Sequence, residues 1–156
     1  MIRPATPEDV TTILRFIREL ADYERALEQV EATEEDLEQA LFGPAPAVFA
    51  HLAENEEGEP VGFALWFLNF STWTGRHGIY LEDLYVTPEA RGGGHGRALL
   101  AELARIAVER GYARYEWSCL DWNEPSIRFY RSLGAEAMTE WTGYRLSGRA
   151  LQAITG

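Results

Sequence analysis

The stretch Arg91-Gly92-Gly93-Gly94-His95-Gly96 separates residues 78–86, which predict a strand, from a segment that predicts a helix ending near residue 110. At the first turn of a helix the backbone N–H groups lack intrahelical partners, and the helix dipole favours negative charge. Glycines at such a junction let a phosphate approach the main chain closely. The stretch therefore predicts a pyrophosphate-binding loop, with an ordinary glycine-rich turn as the alternative.

The best-known nucleotide-binding motifs do not fit this loop. A P-loop requires Gly-Lys followed by Ser or Thr, whereas all 14 basic residues of this chain are arginine. The dinucleotide-binding pattern fails because Arg97 and Leu99 stand where it needs small residues. The pattern that remains is Arg-x-x-Gly-x-Gly, filled by Arg91, Gly94 and Gly96.

Hydrophobic periodicity on both sides of the loop predicts alternating helices and strands. Helices are expected after the capping signals at 6–9 and 33–36, after residue 96, and over 125–133. Strands are expected at 2–3, 47–53, 61–70, 78–86, 115–120, 135–140 and 143–146. This order predicts a mixed α/β sheet, and the absence of repeats and linkers predicts a single domain over residues 1–156.

Charge and composition exclude several classes of function. The net charge is −11, and the first 60 residues hold 15 acidic and 4 basic side chains, which is the whole of the excess. This balance argues against a nucleic-acid partner and favours cations, although a solvated acidic surface is the simpler interpretation. No apolar run approaches the roughly 20 residues that span a bilayer, so we expect no membrane partner and a cytoplasmic location, with the single Cys119 reduced. The three histidines lack ligand spacing, and we expect no metal.

Several separated motifs, in order, resemble one superfamily. They are the loop above, Tyr80-Leu81-Glu82-Asp83-Leu84-Tyr85-Val86 before it, and Asp121-Trp122-Asn123-Glu124-Pro125-Ser126 with Phe129-Tyr130 after it. Together they resemble the GCN5-related N-acetyltransferase (GNAT) superfamily and, within it, the diamine acetyltransferase branch. Residues 71–76 and 120–123 look more like the thialysine type than the spermidine/spermine type. The resemblance implies a GNAT fold with a mixed, mostly antiparallel sheet flanked by helices.

The resemblance also implies acetyl-CoA as cosubstrate and assigns residues to it. Main-chain groups of Leu84, Tyr85 and Val86 would pair with the pantetheine arm as an added strand does. The expected pyrophosphate loop comprises Arg91, Gly92, Gly93, Gly94, His95, Gly96 and Arg97. Asn123 and Ser126 match further coenzyme contacts.

Acetyl transfer needs a neutral amine, an acceptor for its proton and a proton for the departing thiolate. Glu82 is an acid in a predicted strand, where it could accept that proton, hold the cationic substrate, or simply face solvent. Tyr130 resembles the family's general acid, and a phenol with an ordinary pKa of about 10 suits that donation. From spacing alone, Tyr130 would be a core aromatic beside Phe129.

Amine binding is implied for five residues besides Glu82: Tyr23, Glu24, Glu116, Trp117 and Ser118. Polyamine enzymes of the branch look acidic before Gly143, whereas this chain has Thr142, which argues against long polyamines. The resemblance further implies a homodimer. Trp73, Trp122 and Trp141 are the candidate interface aromatics, each equally plausible in the core.

The function predicted is an acetyl-CoA-dependent N-acetyltransferase that acts by direct attack of a primary amine on a small cationic substrate such as thialysine, a diamine or a polyamine-like molecule. Two alternatives stay open: a non-catalytic acyl-CoA-binding sensor, and an acetyltransferase for protein amines. The presence of both Glu82 and Tyr130 favours catalysis over binding alone.

Overall fold

A five-stranded mixed sheet organises the first 118 residues of the computed structural model, which describes all 156 residues. Its strands, in both sequence and spatial order, are β1 (Ile2–Pro4), β2 (Val48–Glu54), β3 (Pro60–Ser71), β4 (Arg76–Val86) and β5 (Tyr115–Trp117). Neighbours among the first four strands are antiparallel, and β5 runs parallel to β4. The predicted mixed, mostly antiparallel sheet is therefore confirmed.

Five helices accompany these strands. They are α1 (Val10–Tyr23), α2 (Glu34–Phe42), α3 (His95–Glu109), α4 (Glu124–Ser132) and α5 (Gly148–Ala153). The chain forms two compact units, Met1–Ser118 with the sheet and α1 to α3, and Cys119–Gly156 with α4 and α5. A single domain over 1–156 stays a prediction. No helix is both long enough and apolar enough to cross a membrane.

Helices α1 to α3 flank the two faces of the sheet. On one face, α1 and α2 bury a core that includes Ile13, Phe16 and Phe63, and the rings of Phe16 and Phe63 stack with centroids 5.8 Å apart. Strand alternation points Trp66 and His51 to the other face, where they line a cavity with Ile106 of α3. Each face of the sheet thus has a helical layer that excludes water from it.

An ionic cluster joins the N-terminal elements. The Arg3 guanidinium donates hydrogen bonds to Asp9 at 2.7 and 3.0 Å, and it also pairs with Glu54 of β2. Asp9 ends the short 3₁₀ helix Pro7–Asp9 and accepts from the Thr6 backbone N–H, which completes the capping box expected from sequence. The bonds from Arg3 lower the pKa of the buried Asp9 carboxyl. This cluster fixes where α1 begins relative to β1 and β2.

The strands predicted at 135–140 and 143–146 are wrong, because residues 135–147 form neither strand nor helix. No strand of the sheet comes from residues 119–156. The backbone N–H and C=O groups of this segment therefore have no neighbouring strand with which to form ladder hydrogen bonds. Its apolar side chains Met138, Trp141 and Tyr144 are exposed. Alternation in the sequence indicated a strand-like face but could not supply a pairing partner.

Candidate active site

Strand β4 carries a bulge at Glu82. Asp83 pairs with Leu65 of β3 and Leu81 pairs with Trp66, so Glu82 is an extra residue with no partner on β3. Bulges of this kind interrupt the ladder and change the direction of nearby side chains. The Glu82 side chain is exposed to solvent at this point. The predicted catalytic carboxylate thus lies at an irregularity that a sequence of alternating residues does not reveal.

The same position ends the pairing of β4 with β5. The parallel pairs are Ile79 with Tyr115, Tyr80 with Glu116 and Leu81 with Trp117, and none follows. Residues 83–86 remain paired with β3 on their other side. One edge of β4 beyond the bulge therefore carries no neighbouring strand, and an extended ligand could pair there through backbone groups. The predicted pantetheine contacts, Leu84, Tyr85 and Val86, lie on this edge.

The glycine-rich loop contains two glycines in the left-handed conformation and leads directly into helix α3. Gly92 and Gly94 have φ angles of +85° and +82°, which L side chains rarely adopt. Helix α3 begins at His95, and its first hydrogen bond runs from the Ala98 N–H to the Gly94 carbonyl. The amides of the helix's first turn thus lack intrahelical partners. A Cβ added at Gly92 or Gly94 would enter space with no heavy atom within 4 Å, so the loop leaves room for an anion.

Arg91 connects this loop to the end of α1. Its Nε donates to the Val86 carbonyl at 3.1 Å, and its guanidinium carbon lies 5.3 Å from the Tyr23 ring centroid and 5.8 Å from that of Tyr85. The Tyr85 hydroxyl donates to Oε2 of Glu19 at 2.8 Å. Burial, reinforced by that carboxylate, raises the pKa of Tyr85 to about 12. A predicted coenzyme residue, Arg91, thus touches a predicted amine-site residue, Tyr23.

Helix α1 ends in a turn that fixes Glu24. The Ala26 N–H bonds to the Ala21 carbonyl and the Arg25 N–H to the Asp22 carbonyl, which is the Schellman pattern. Arg25 occupies the left-handed position of that turn with φ of 63°, where glycine is usual. Strain of this kind is retained where the surrounding structure holds a functional segment in place. Glu24 immediately precedes it and is half-buried, which raises the pKa of its carboxyl.

Asp83 is a further candidate site residue, which the sequence did not predict. It is half-buried, and its burial together with the negative charges of Glu82 and Glu24 raises its pKa to about 7. The negative charges of Glu82 on β4 and Glu24 at the end of α1 therefore act on Asp83, and a cationic amine would relieve that repulsion. The available signal was the pair of adjacent acids in a strand that is otherwise apolar.

The predicted substrate stretch on β5 divides between two faces. Glu116 accepts a hydrogen bond from the Asn69 side chain at 3.3 Å, and the Ser118 and Tyr80 hydroxyls are hydrogen-bonded at 2.8 Å. Strand alternation turns Trp117 to the opposite face, where its ring packs edge-on against Tyr115 at 5.2 Å. Glu116 and Ser118 thus lie on one face of β5 and Trp117 on the other.

The remaining predicted residues belong to the unit formed by residues 119–156. Asn123 caps α4, since its Oδ1 accepts from the Ser126 N–H at 3.3 Å. Tyr130 lies one turn further along α4, is half-buried, and packs against the ring of Phe129 at 5.7 Å. A proline in the first turn and the asparagine cap account for the start of the helix here. No group of three His, Cys, Asp or Glu side chains could hold a metal ion.

Comparison with known proteins indicates one family. The model of the Acetyltransferase (GNAT) family matches residues 13–135. The thialysine N-epsilon-acetyltransferase of Sus scrofa is 40% identical over 166 residues, which cover 100% of this chain and 97% of that protein. The L-ornithine N5-acetyltransferase NATA1 of Arabidopsis thaliana is 32% identical, covering 98% of this chain and 86% of that protein. Among solved structures, an integron cassette protein from the mobile metagenome of V. cholerae superimposes with a TM-score of 0.81 at 28% identity, covering 99% of this chain and 96% of that one. The chain belongs to the GNAT family of acetyltransferases.

Proposed function

We propose that this acetyltransferase moves the acetyl group of acetyl-CoA onto the terminal primary amine of a small cationic amino acid of the thialysine or ornithine kind. The observation that carries the proposal is the group of three carboxylates, Glu24, Glu82 and Asp83, beside the open edge of β4. A cation placed among them would be held by charge. The two relatives named above act, by their names, on terminal amines of amino acids.

The fold supplies residues that fit the cosubstrate. The unpaired edge at Leu84, Tyr85 and Val86 suits the amides of a pantetheine arm, and the loop 91–97 suits its pyrophosphate. Asn123 and Ser126 are the further contacts we propose. Acetyl-CoA supplies the acetyl group as a thioester. The protein binds the thioester, accepts a proton from the amine and donates a proton to the departing thiolate.

The first proton leaves the attacking amine. An ammonium group cannot attack, so an acceptor is needed near neutral pH. Glu82 is exposed at the bulge and is the acceptor we propose, either directly or through a water molecule. Asp83 and Glu24 then act as anchors that draw in the cation before it loses its proton.

The second proton is needed by the departing thiolate. Tyr130 is the donor we propose, because a phenol can hold its proton at neutral pH and release it to a strong base. With Glu82 as acceptor and Tyr130 as donor, the chain carries both groups that direct transfer requires. A module that only binds coenzyme would need neither.

We further propose that the protein is a cytoplasmic homodimer. We propose no nucleic-acid partner and no membrane partner. Trp73 is 80% exposed and Trp141 and Tyr144 are also exposed, which supports an interface that covers aromatic side chains. Light scattering at micromolar concentration should therefore return about twice the 17.6 kDa of one chain. A mass of one chain would contradict the dimer.

The substrate proposal is tested by an acetylation screen with acetyl-CoA over thialysine, ornithine, diamines, spermidine, an aminoglycoside and a peptide with a free N-terminus. We expect the amino acids with a terminal amine to give the highest kcat/KM. Fastest turnover of the peptide would favour an acetyltransferase for protein amines. Coenzyme binding without acetylation of any amine would favour the sensor.

A further inference from the structure

The Arg91 side chain belongs to two parts of the site at once. Its backbone opens the glycine-rich loop, yet its guanidinium turns back toward the end of α1 and lies over the rings of Tyr23 and Tyr85. The Nε–H is fixed by the Val86 carbonyl on the coenzyme edge of β4. The Arg91 guanidinium thus contacts both β4, at Val86, and Tyr23, which precedes the proposed amine-binding residue Glu24.

The two rings differ in how exposed they are. Tyr85 is 6% exposed, and its hydroxyl is anchored on Glu19, so it forms a fixed support. Tyr23 is 42% exposed at the last position of α1. A change in the orientation of the Arg91 guanidinium would therefore be felt mainly at Tyr23.

We propose that Arg91 couples the two binding events: an anion held at the loop fixes the guanidinium, and the guanidinium then holds Tyr23 and the end of α1 in place for the amine. Tyr23 is in this sense a positioning residue. The inference deepens the proposed function and rests on it. It also predicts the sign of the coupling, which is positive.

The sign follows from the geometry of a guanidinium group. The Arg91 guanidinium carbon lies over the two rings, and its Nε–H is taken by the Val86 carbonyl. A phosphate would bind the remaining N–H groups at the edge of the same plane. An arginine can contact an aromatic ring while its N–H groups bind an anion, so we expect a bound anion to hold the guanidinium over Tyr23 and not to displace it.

The expected size is modest. An arginine over an aromatic ring at a partly exposed site contributes an amount equal to about a two- to fivefold change in affinity. Free coenzyme A should therefore raise the affinity for thialysine by about two- to fivefold, and thialysine should raise the affinity for coenzyme A by the same factor. The reciprocal measurement checks the consistency of the two data sets, because linkage requires the two factors to be equal.

Calorimetry of thialysine binding with and without saturating coenzyme A tests this in variants of the full chain. Tyr23→Phe keeps the ring and should keep the coupling factor, which is the ratio of the two thialysine affinities. Tyr23→Leu and Arg91→Lys should each reduce that factor to about one, and combining the two should reduce it no further. Arg114→Lys is the matched control, since Arg114 lies over Trp73 at 5.9 Å outside the site and its replacement should leave the coupling intact. Undiminished coupling in Tyr23→Leu would overturn the proposal.

A second measurement does not depend on the amine. With 3-fluorotyrosine incorporated and the Tyr23 signal assigned from Tyr23→Phe, coenzyme A should shift the ¹⁹F resonance of residue 23 in the parent protein and fail to do so in saturated Arg91→Lys. No shift in the parent would overturn the coupling even if amines are acetylated. A ¹⁹F shift of residue 23 on addition of coenzyme A, in a protein that does not bind thialysine, would support the link between Arg91 and Tyr23 and reject thialysine as the substrate.

Discussion

Replacing Gly94 by valine separates the loop's role in folding from its role in binding. Gly94 has φ of +82°, and an added Cβ meets no heavy atom within 4 Å, so no clash contributes to the cost. What remains is the left-handed backbone, which costs an L residue about 1–2 kcal/mol. We therefore expect Gly94→Val to lower the free energy of unfolding by about that amount.

Gly94→Val should also weaken acetyl-CoA binding, and by more than its loss of folding stability would explain. A valine side chain at Gly94 would enter the open space beside the amides at the start of α3, which is where we propose that the pyrophosphate binds. A hydrogen bond to a charged group is worth about 1.5–3 kcal/mol, so losing one such bond raises the Kd for acetyl-CoA by about 10- to 150-fold.

The turn between β2 and β3 offers a matched control. Gly58 has φ of +80° and equally open surroundings, so Gly58→Val introduces the same strain at a place without a proposed ligand. Urea unfolding should give similar losses for the two variants, while calorimetry should show weakened acetyl-CoA binding only in Gly94→Val. A Gly94→Val protein that binds acetyl-CoA as tightly as the parent would refute the assignment of the loop.

Three further predictions address chemistry and charge. Tyr130→Phe keeps the ring and removes the proton donor, so kcat should fall by about 100- to 10,000-fold at unchanged coenzyme Kd; parental turnover would exclude Tyr130 from the reaction. The pKa of Asp83 is raised from 3.8 to about 7, so between these values the folded state binds a proton that the unfolded state has lost; the Tm of the parent should fall as pH rises from about 3.8 to about 7 and level off above it, and Asp83→Asn should lose that component. The pKa of Asp9 is lowered, so its contribution is present above its ordinary pKa of 3.8 and lost as pH falls through the lowered one. Asp9→Asn should therefore cost about 1.5–3 kcal/mol in urea unfolding near neutral pH, and a loss below about 0.5 kcal/mol would contradict the Arg3 pairing.

The parts of the fold that depend on local signals were predictable. The caps at Thr6 and Thr33, the helix after the glycine loop and the hairpin of β2 and β3 follow from residues within a few positions of each element. The loop lies between the end of a strand and the start of a helix, and both boundaries can be recognised from nearby residues. Its sequence therefore identified the candidate phosphate site without knowledge of the rest of the chain.

The parts that depend on distant pairing were not predictable. The segment 135–147 has an alternating pattern but no ladder partner, and β5 has three residues where six were expected. The contact of Arg91 with Tyr23 joins residues 68 positions apart, and the shifted pKa of Asp83 depends on burial by elements that periodicity does not describe. Such features arise from packing, which no short window of sequence contains.

The bulge at Glu82 shows how one distant pairing determines the chemistry of the site. Directly opposite residues share a face, so Leu81 lies with Trp66 on the α3 side, whereas Asp83 lies with Leu65 on the side of α1. If Glu82 were instead paired as a regular strand residue, strict alternation would put Asp83 on the α3 side with Leu81, away from Glu24. The bulge thus brings the acids together at the place where β4 parts from β5. Two changes at residue 82 therefore test different things. Glu82→Gln keeps the bulge and should alter the pH dependence of turnover while coenzyme binding is kept. Deletion of residue 82 removes both the carboxylate and the bulge but leaves Asp83 opposite Leu65, so it should abolish turnover while residues 83–86 keep their register and coenzyme binding is retained.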